Sequence, residues 1–192
     1  MSTSPLTLQV PSPPEPVPVT LNAATTALLV LDIVEHISER QPQVKEKILP
    51  VVSSLLARVR KAGLFVAYGT RATNLGTWLP EVKPASGDIE FESRAQDRFY
   101  STDLDKVLKA KGITTLILVG WKISGSVTYT SVGATLRGYT VVVPIDATSD
   151  ATDYEIFVGK YQVLNQNSAN AKNEPLKARA STLSRTDLIT FK

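Results

Sequence analysis

Two side chains have the types and positions needed for hydrolytic or acid–base chemistry. Asp32 closes the apolar run TALLVLD, and Ser126 lies in LVGWKISGSVTYT, where a buried strand turns through glycine into a helix. A strand–turn–helix junction of this kind presents a nucleophile, or a group of backbone N–H donors, to a substrate. A serine hydroxyl attacks a carbonyl group only when a base such as a carboxylate removes its proton. The pair therefore indicates acyl-transfer or acid–base chemistry.

The chain contains no cysteine and one histidine, His36. The lack of cysteine excludes disulfides and thiolate metal sites, and a single histidine makes a poor metal centre. We therefore expect neither a metal ion nor another cofactor. His36 either lines the site as a proton shuttle or lies on a loop without a catalytic role.

Alternating strand and helix patterns form the framework that must position these residues. Apolar, β-branched runs predict strands at residues 26–32, 64–69, 114–120 and 139–146, with a closing strand at 187–191. Helical patterns lie between them, at about residues 45–63, 102–112, 126–138 and 152–167. This order predicts a three-layer α/β/α domain with a mainly parallel, doubly wound sheet.

Ligands of such sheets bind at the carboxyl ends of the strands. Asp32, residues 69–71, residues 120–126 and Asp146 all lie at predicted strand ends, so we expect them to converge on one crevice. The segment SGSV should bring backbone N–H groups to a helix N-terminus, where they would bind a carboxylate or an oxyanion. These groups belong to Gly125, Ser126 and Val127.

Length and composition indicate an ordinary globular chain. It has 192 residues, 43% of them hydrophobic, and a formal net charge of +3. Six of the twelve prolines lie in residues 1–20, which predicts an extended N-terminal arm, followed by a single domain over residues 21–192. The basic residues form no stripe and no apolar run could span a membrane, so we expect neither nucleic-acid nor membrane binding. No signal peptide is evident, and a cytoplasmic location is therefore expected.

Several stretches together resemble the isochorismatase-like (cysteine hydrolase) superfamily in order and spacing. They are TTALLVLDIVEH, KAGLFVAYGTR, SGDIEFES and SGSVTYTSVGATLRGYTVVVPIDATSD, within roughly residues 25–154. The resemblance implies a three-layer α/β fold and hydrolysis of small amides by an Asp–Lys–Cys triad, with a covalent acyl-enzyme. It also implies a homo-oligomer, a dimer or a tetramer.

The sequence departs from that triad at two positions. Asp32 matches the aspartate, but the lysine position falls on Ser93 and the cysteine position on Ser126. Arg98, near the lysine position, could reach into the site. Lys122, the basic residue nearest the turn, either supplies the missing positive charge or faces solvent.

Three aromatic residues are candidates for a substrate pocket. Trp78 in GTWLP resembles the segment that covers the substrate in this superfamily, and Trp121 and Tyr129 border the turn at Ser126. Together they would form an apolar pocket for a small hydrophobic or ring-containing ligand. The alternative is that they pack in the core or at a subunit interface.

Three functional hypotheses follow. The preferred one is an enzyme in which Asp32 does acid–base chemistry on a small carbonyl or enol-ether substrate of the secondary-metabolite type, with Ser126 as a hydrogen-bond donor. Buried away from any cation, Asp32 would tend to hold its proton and act as an acid. The first alternative is a catalytically inactive family member that binds a small molecule or a protein. The second is an amidase or esterase with Ser126 as its nucleophile.

Overall fold

The computed structural model of the protein describes residues 9, 11–12, 14–71, 73–74, 76–165 and 181–192. Strands and helices alternate through most of this range. In chain order the elements are β1 (Val19–Leu21), β2 (Thr26–Leu31), α1 (Glu35–Arg40), α2 (Leu49–Lys61), β3 (Phe65–Arg71), β4 (Ile89–Ser93), α3 (Leu104–Ala110), β5 (Thr115–Trp121), α4 (Thr128–Leu136), β6 (Thr140–Pro144), β7 (Thr148–Ser149), α5 (Asp153–Asn165), β8 (Ser181–Ser184) and β9 (Ile189–Phe191).

Within the described residues, the main sheet has seven strands and is parallel at every pairing. The order is β4-β3-β2-β5-β6-β8, with β7 beside the end of β5. All six residues of β2 are buried, as expected for a parallel strand covered on both faces. The chain runs from β2 through β3 to β4 on one side, and from β5 through β6 to β8 on the other. The doubly wound sheet predicted from the sequence is therefore confirmed.

Alternate residues of β2 belong to two separate cores. Leu28 and Val30 pack with the buried face of α2, whereas Leu29 and Leu31 belong to the core that includes buried residues of α3, α4 and α5. Because successive strand side chains point to opposite faces, one continuous apolar run can serve both layers. The result is the three-layer α/β/α arrangement.

The element boundaries differ from the predicted ones at two acidic residues. Asp32 lies just beyond β2, with a φ of 53°. Asp146 lies in a 3-10 turn beyond β6, where its carboxylate accepts bonds from the backbone N–H and hydroxyl of Thr186. Asp146 was expected in the crevice, and that expectation is wrong because the carboxylate anchors the segment before β9.

Both chain ends contribute to a second, smaller sheet. The closing strand begins at Ile189 and pairs in parallel with β1, not with the main sheet. Val19 and Thr20, which the sequence pattern places in the arm, are part of β1. Within the described ranges, no helix is both long and apolar enough to cross a membrane.

A close approach between β2 and β5 determines where the site forms. Gly120 has a φ of 115°, and a Cβ atom built there would lie 2.0 Å from the carbonyl oxygen of Leu31. Only glycine fits both the conformation and the contact. From β2 the chain continues to β3 on one side of this pair, and from β5 it continues to β6 on the other side. A ligand crevice is expected at such a switch point, where the strand order reverses. Asp32 and the turn before α4 both lie there.

Candidate active site

Four polar side chains form a buried hydrogen-bonded cluster at the ends of β2 and β3 and around the turn before α4. The Ser126 hydroxyl donates to Asp32 Oδ2 over 2.6 Å, and the Thr70 hydroxyl donates to Oδ1 over 2.9 Å. Arg98 Nη2 donates to Asp32 Oδ2 and, over 2.9 Å, to the oxygen of Ser126. A carboxylate, a cation and a hydroxyl are thus in mutual contact.

The cluster contains a buried ion pair. Arg98 is 1% exposed and Asp32 is 3% exposed. The expectation that Asp32 lies away from any cation is wrong, because the guanidinium contacts its carboxylate directly. Both carboxylate oxygens accept hydrogen bonds, from Arg98, Ser126 and Thr70, so Asp32 is placed as an acceptor toward the Ser126 hydroxyl.

Arg98 reaches this position from the loop between β4 and α3. Its backbone N–H donates to the Thr130 hydroxyl of α4 over 3.1 Å, and its Nη1 donates to the Ala95 carbonyl over 2.9 Å. Its aliphatic stem runs over β3, where a Cβ atom on Gly69 would lie 3.0 Å from Arg98 Cγ. The loop, the helix and the glycine together fix the guanidinium.

Ser93 occupies the lysine position of the resemblance but does not line the pocket. Its fully buried hydroxyl lies within hydrogen-bond distance of three carbonyl oxygens, at 3.1 Å from Ala95, 2.8 Å from Asp97 and 3.0 Å from Tyr100. It also accepts from the Ala95 N–H. Ser93 therefore holds the loop that carries Arg98.

The group of free N–H donors predicted for SGSV is only partly present. The N–H groups of Gly125 and Val127 both donate to the Lys122 carbonyl, over 3.0 and 3.2 Å. The turn satisfies these donors itself, because the chain winds as a π-helical turn over Ile123–Val127 before α4 begins. Val127 is packed in the core. The prediction that both residues present donors to a substrate is therefore wrong.

A pocket of about 270 Å³ opens beside the cluster. Asp32, Ser126 and Trp121 line it, so the predicted convergence of strand ends is present in the structure. The remaining lining residues are all polar or charged except one: His36, Ile37, Arg71, Asn74, Gln96 and Lys122. Most of the residues that line the pocket are thus polar or charged, whereas the aromatic residues led us to expect an apolar lining.

Two of the three predicted aromatic residues lie outside this pocket. Trp78 is buried against the Tyr68 ring, with 5.0 Å between centroids, and its indole N–H donates to Glu90. Tyr129 is 56% exposed and lines a separate hollow beside Tyr161. Neither residue can contact a ligand held at Asp32.

Lys122 lines the pocket, but its ammonium group is paired with two acidic residues. Its ammonium group lies 3.2 Å from Asp150 and 3.3 Å from Glu155. Partial burial alone would lower the Lys122 pKa, but the hydrogen bonds and charges of these acids outweigh it and raise the pKa. The positive charge at Asp32 comes from Arg98 instead.

The sequence pattern did not single out Asn74 or Gln96. Thr70 lies within residues 69–71, which were expected at the crevice, and its contact with Asp32 agrees with that expectation. Asn74 and Gln96 lie in loops with no regular spacing to Asp32. Among the described residues, no group of three or more His, Cys, Asp or Glu side chains is placed to hold a metal ion.

Comparison with known proteins agrees with this architecture. The Isochorismatase domain family matches residues 26–159, which include Asp32, Arg98 and Ser126. The chain belongs to the isochorismatase family. It is 31% identical over 157 residues to the uncharacterized isochorismatase family protein YecD of Escherichia coli O157:H7, covering 69% of this chain and 84% of YecD. It is 25% identical over 146 residues to the secreted isochorismatase effector Isc1 of Verticillium dahliae, covering 69% and 77%.

Solved structures of the isochorismatase family share the fold. An isochorismatase family protein from Burkholderia thailandensis superposes with a TM-score of 0.71 at 22% identity, over 90% of this chain and 96% of that protein. The N-carbamoylsarcosine amidase from Thermoplasma acidophilum superposes with a TM-score of 0.67 at 24% identity, over 85% and 97%. At these identities the likeness concerns the fold alone.

Proposed function

We propose that the protein is a small-molecule hydrolase in which Asp32 takes the proton of Ser126 as its oxygen attacks a carbonyl carbon. The observation that carries the proposal is the 2.6 Å hydrogen bond from the Ser126 hydroxyl to Asp32 Oδ2, at the wall of a pocket. A nucleophile and a base within hydrogen-bond reach are the minimum for covalent acyl transfer.

Arg98 supports both partners of this reaction. Its Nη2 donates to Asp32 and to the oxygen of Ser126, so negative charge that develops on that oxygen meets a fixed positive charge. A guanidinium remains charged and offers several donors in one plane, which suits simultaneous contact with two oxygen atoms. Thr70 holds the other carboxylate oxygen and so fixes the orientation of Asp32.

The steps balance without a further reactant except water. Ser126 Oγ forms a bond to the carbonyl carbon while its proton moves to Asp32. The bond to the leaving group then breaks, the leaving group takes that proton, and an ester to Ser126 remains. Water attacks this ester, Asp32 takes a proton from the water, and Ser126 leaves as the free hydroxyl with the proton returned to it.

Enol-ether cleavage receives less support from the geometry. That reaction needs Asp32 to give a proton to the substrate, whereas its two oxygens already accept hydrogen bonds from Arg98, Ser126 and Thr70. A carbonyl substrate needs Asp32 to accept the Ser126 proton, and the hydrogen bond from Ser126 has that direction.

A catalytically inactive binding protein is the second candidate. It is favoured by the N–H groups of Gly125 and Val127, which bond within the turn and so are not free to stabilise an oxyanion. Stabilisation by such donors is usually a large part of acyl-transfer catalysis. Under this hypothesis the pocket would bind a small polar ligand without turning it over.

Labelling of the serine distinguishes the two candidates. We expect a β-lactone or fluorophosphonate probe to increase the intact mass of the wild-type protein, with the adduct on Ser126. Ser126→Ala and Asp32→Asn should lose the adduct, whereas Ser124→Ala should keep it, because Ser124 lies in the same turn but lines the separate hollow. Steady hydrolysis of small esters or amides should follow the same pattern. A wild type that gives neither adduct nor hydrolysis would favour the binding protein.

We also propose that the protein is a homo-oligomer, with the outer surface of α4 at the interface. Tyr129 and Leu136 of α4 are 56% and 40% exposed, and Tyr161 of α5 is 48% exposed beside them. Large exposed apolar side chains grouped in this way are typical of protein contacts. Light scattering should give a mass above 20.8 kDa, and Tyr129→Glu should lower it.

A further inference from the structure

We propose that the substrate carries a carboxylate remote from its reacting carbonyl, and that Arg71 and Asn74 bind this carboxylate at the mouth of the pocket. The inference rests on the proposed function, since it names the substrate class of the same site. It follows from which polar groups in the pocket already have partners and which do not.

The central charges of the site are already paired. Asp32 is the one carboxylate that lines the pocket in the described part of the chain, and it accepts bonds from Arg98, Ser126 and Thr70. Lys122 is paired with acids on its other side. Neither residue is therefore free to pair with a charged group of a ligand.

Among the described residues that line the pocket, Arg71 is the arginine or lysine that remains unpaired. It is the last residue of β3, directly after Thr70, and it is exposed. Its guanidinium has no hydrogen bond or ion pair to any residue in the described ranges, although it lines the pocket. An unpaired guanidinium at a pocket mouth attracts a carboxylate and can bind both of its oxygens.

Asn74 adds a neutral donor beside Arg71. Its backbone N–H donates to the Arg71 carbonyl over 2.9 Å, so the two residues are held in one turn. Asn74 is 7% exposed, and its Oδ1 accepts from the Thr73 hydroxyl over 3.1 Å. This bond fixes the amide orientation, and Nδ2, which has no partner among the described residues, remains as the donor for a ligand.

Two acidic residues line a neighbouring hollow. Glu35 and Glu39 line a cavity of about 220 Å³ that shares His36 and Asn74 with the pocket. They do not line the Asp32 pocket itself. An anion is therefore favoured on the Asp32 side of Asn74 and disfavoured on the other side.

The size of the pocket restricts the ligand further. At about 270 Å³ it is slightly below the range typical of sites for drug-sized ligands. A short chain with a carbonyl group at Ser126 and a carboxylate at Arg71 fits this volume and polarity. Small acyl compounds of dicarboxylic acids are therefore the expected substrate class.

Two esters of equal length test the proposal by turnover. We expect the wild type to hydrolyse 4-nitrophenyl hydrogen succinate with a higher kcat/KM than 4-nitrophenyl butanoate. Arg71→Gln should lower the ratio of kcat/KM for the succinate ester to kcat/KM for the butanoate ester about fivefold, as for loss of one exposed charge pair. Lys106→Gln removes an exposed charge from α3 and should change neither value. An equal effect of Arg71→Gln on both esters, or no effect on either, would overturn the proposal.

Binding without turnover separates this proposal from the proposed function. Succinamate should bind more tightly than butanamide in an NMR titration, and Arg71→Gln should remove the difference. If neither ester is hydrolysed but this preference is present, the carboxylate site stands and the hydrolase does not. If both esters are hydrolysed at equal rates and the amides bind alike, the hydrolase stands and the carboxylate site does not.

Discussion

The Arg98 side chain packs against Gly69, because a Cβ atom at Gly69 would lie 3.0 Å from Arg98 Cγ and 3.2 Å from its Cδ. The arginine stem uses the space left by the missing side chain on β3. The positive charge near Asp32 therefore comes from the loop before α3. The end of β4 carries the uncharged Ser93. The resemblance places a lysine at that strand end, so the cation of this site comes from a different element.

The Asp32–Arg98 ion pair should be strongly coupled. Asp32→Asn and Arg98→Met should each lower the free energy of unfolding by about 3–5 kcal/mol, because each leaves a buried charge without its partner. The double variant should lose clearly less than the sum of the two, and a urea-denaturation cycle measures the difference. In the exposed Lys109–Asp105 pair, Lys109→Met should cost no more than about 1 kcal/mol. Additive losses at Asp32 and Arg98 would contradict the coupling.

Ser93 should act through the loop that it holds. Ser93→Ala removes the hydroxyl shared by three buried carbonyl groups and one N–H, and should cost about 1–3 kcal/mol of unfolding free energy. It should also slow probe labelling of Ser126, because Arg98 becomes less well fixed. Ser53→Ala, which loses one exposed 3.4 Å bond, is the matched control and should change neither quantity. Unchanged stability in Ser93→Ala would show that the hydroxyl is dispensable.

Gly120 should tolerate no side chain. In Gly120→Ala the new Cβ would meet the Leu31 carbonyl at 2.0 Å, and neither backbone can move without shifting a central strand. We expect a loss of about 4 kcal/mol or more, or failure to fold. Gly87 has a similar φ of 93° but nothing within 4 Å of a new Cβ, so Gly87→Ala should cost only about 1–2 kcal/mol. Equal losses in thermal unfolding would mean that conformation alone, and not the contact, makes Gly120 necessary.

Asp97 should make stability depend on pH. Burial raises the pKa of its carboxyl group, and the Phe99 N–H and the Arg137 charge offset this only in part. The folded protein therefore holds this proton more tightly than the unfolded chain, whose aspartates titrate near about 4. The stabilisation that protonated Asp97 gives to the fold is therefore complete below about pH 4. It is lost as the pH rises through the pKa of Asp97 in the folded protein.

Asp97→Asn removes this titration but keeps an acceptor for the Phe99 N–H. The free energy of unfolding of Asp97→Asn, relative to that of the wild type, should increase as the pH rises from about 3 to 7. Urea denaturation across that range measures the difference. A constant difference between Asp97→Asn and the wild type would contradict the raised pKa.

The parallel, doubly wound sheet and the meeting of Asp32 with Ser126 were predictable because they follow from periodicity and from the geometry of parallel sheets. Buried β-branched runs identify the central strands, and the carboxyl ends of neighbouring strands β2 and β5 must share one edge. The same rule failed for Asp146, since a turn after β6 directs its carboxylate toward Thr186. A position at a strand end predicts at which edge of the sheet a residue lies, but not the direction in which its side chain points.

The sequence suggests that Arg98 could reach the site, but its contact with Asp32 does not follow from any sequence pattern. The contact depends on a loop conformation fixed by Ser93 and Thr130, and these bonds have no regular spacing. The positions of Trp78 and Tyr129 were missed for a similar reason. Trp78 is held by Tyr68 and Glu90, partners on strands that the pattern of GTWLP does not reveal.

The replacement of an amine by a guanidinium at the centre of the cluster also bears on the conditions under which the protein can work. An ammonium group beside a nucleophile gives up its proton in alkaline solution, whereas a guanidinium stays charged across the whole range in which proteins remain folded. Arg98 is a guanidinium in contact with the Asp32 carboxylate. The cation of the cluster therefore belongs to the class that keeps its charge where ammonium groups lose theirs.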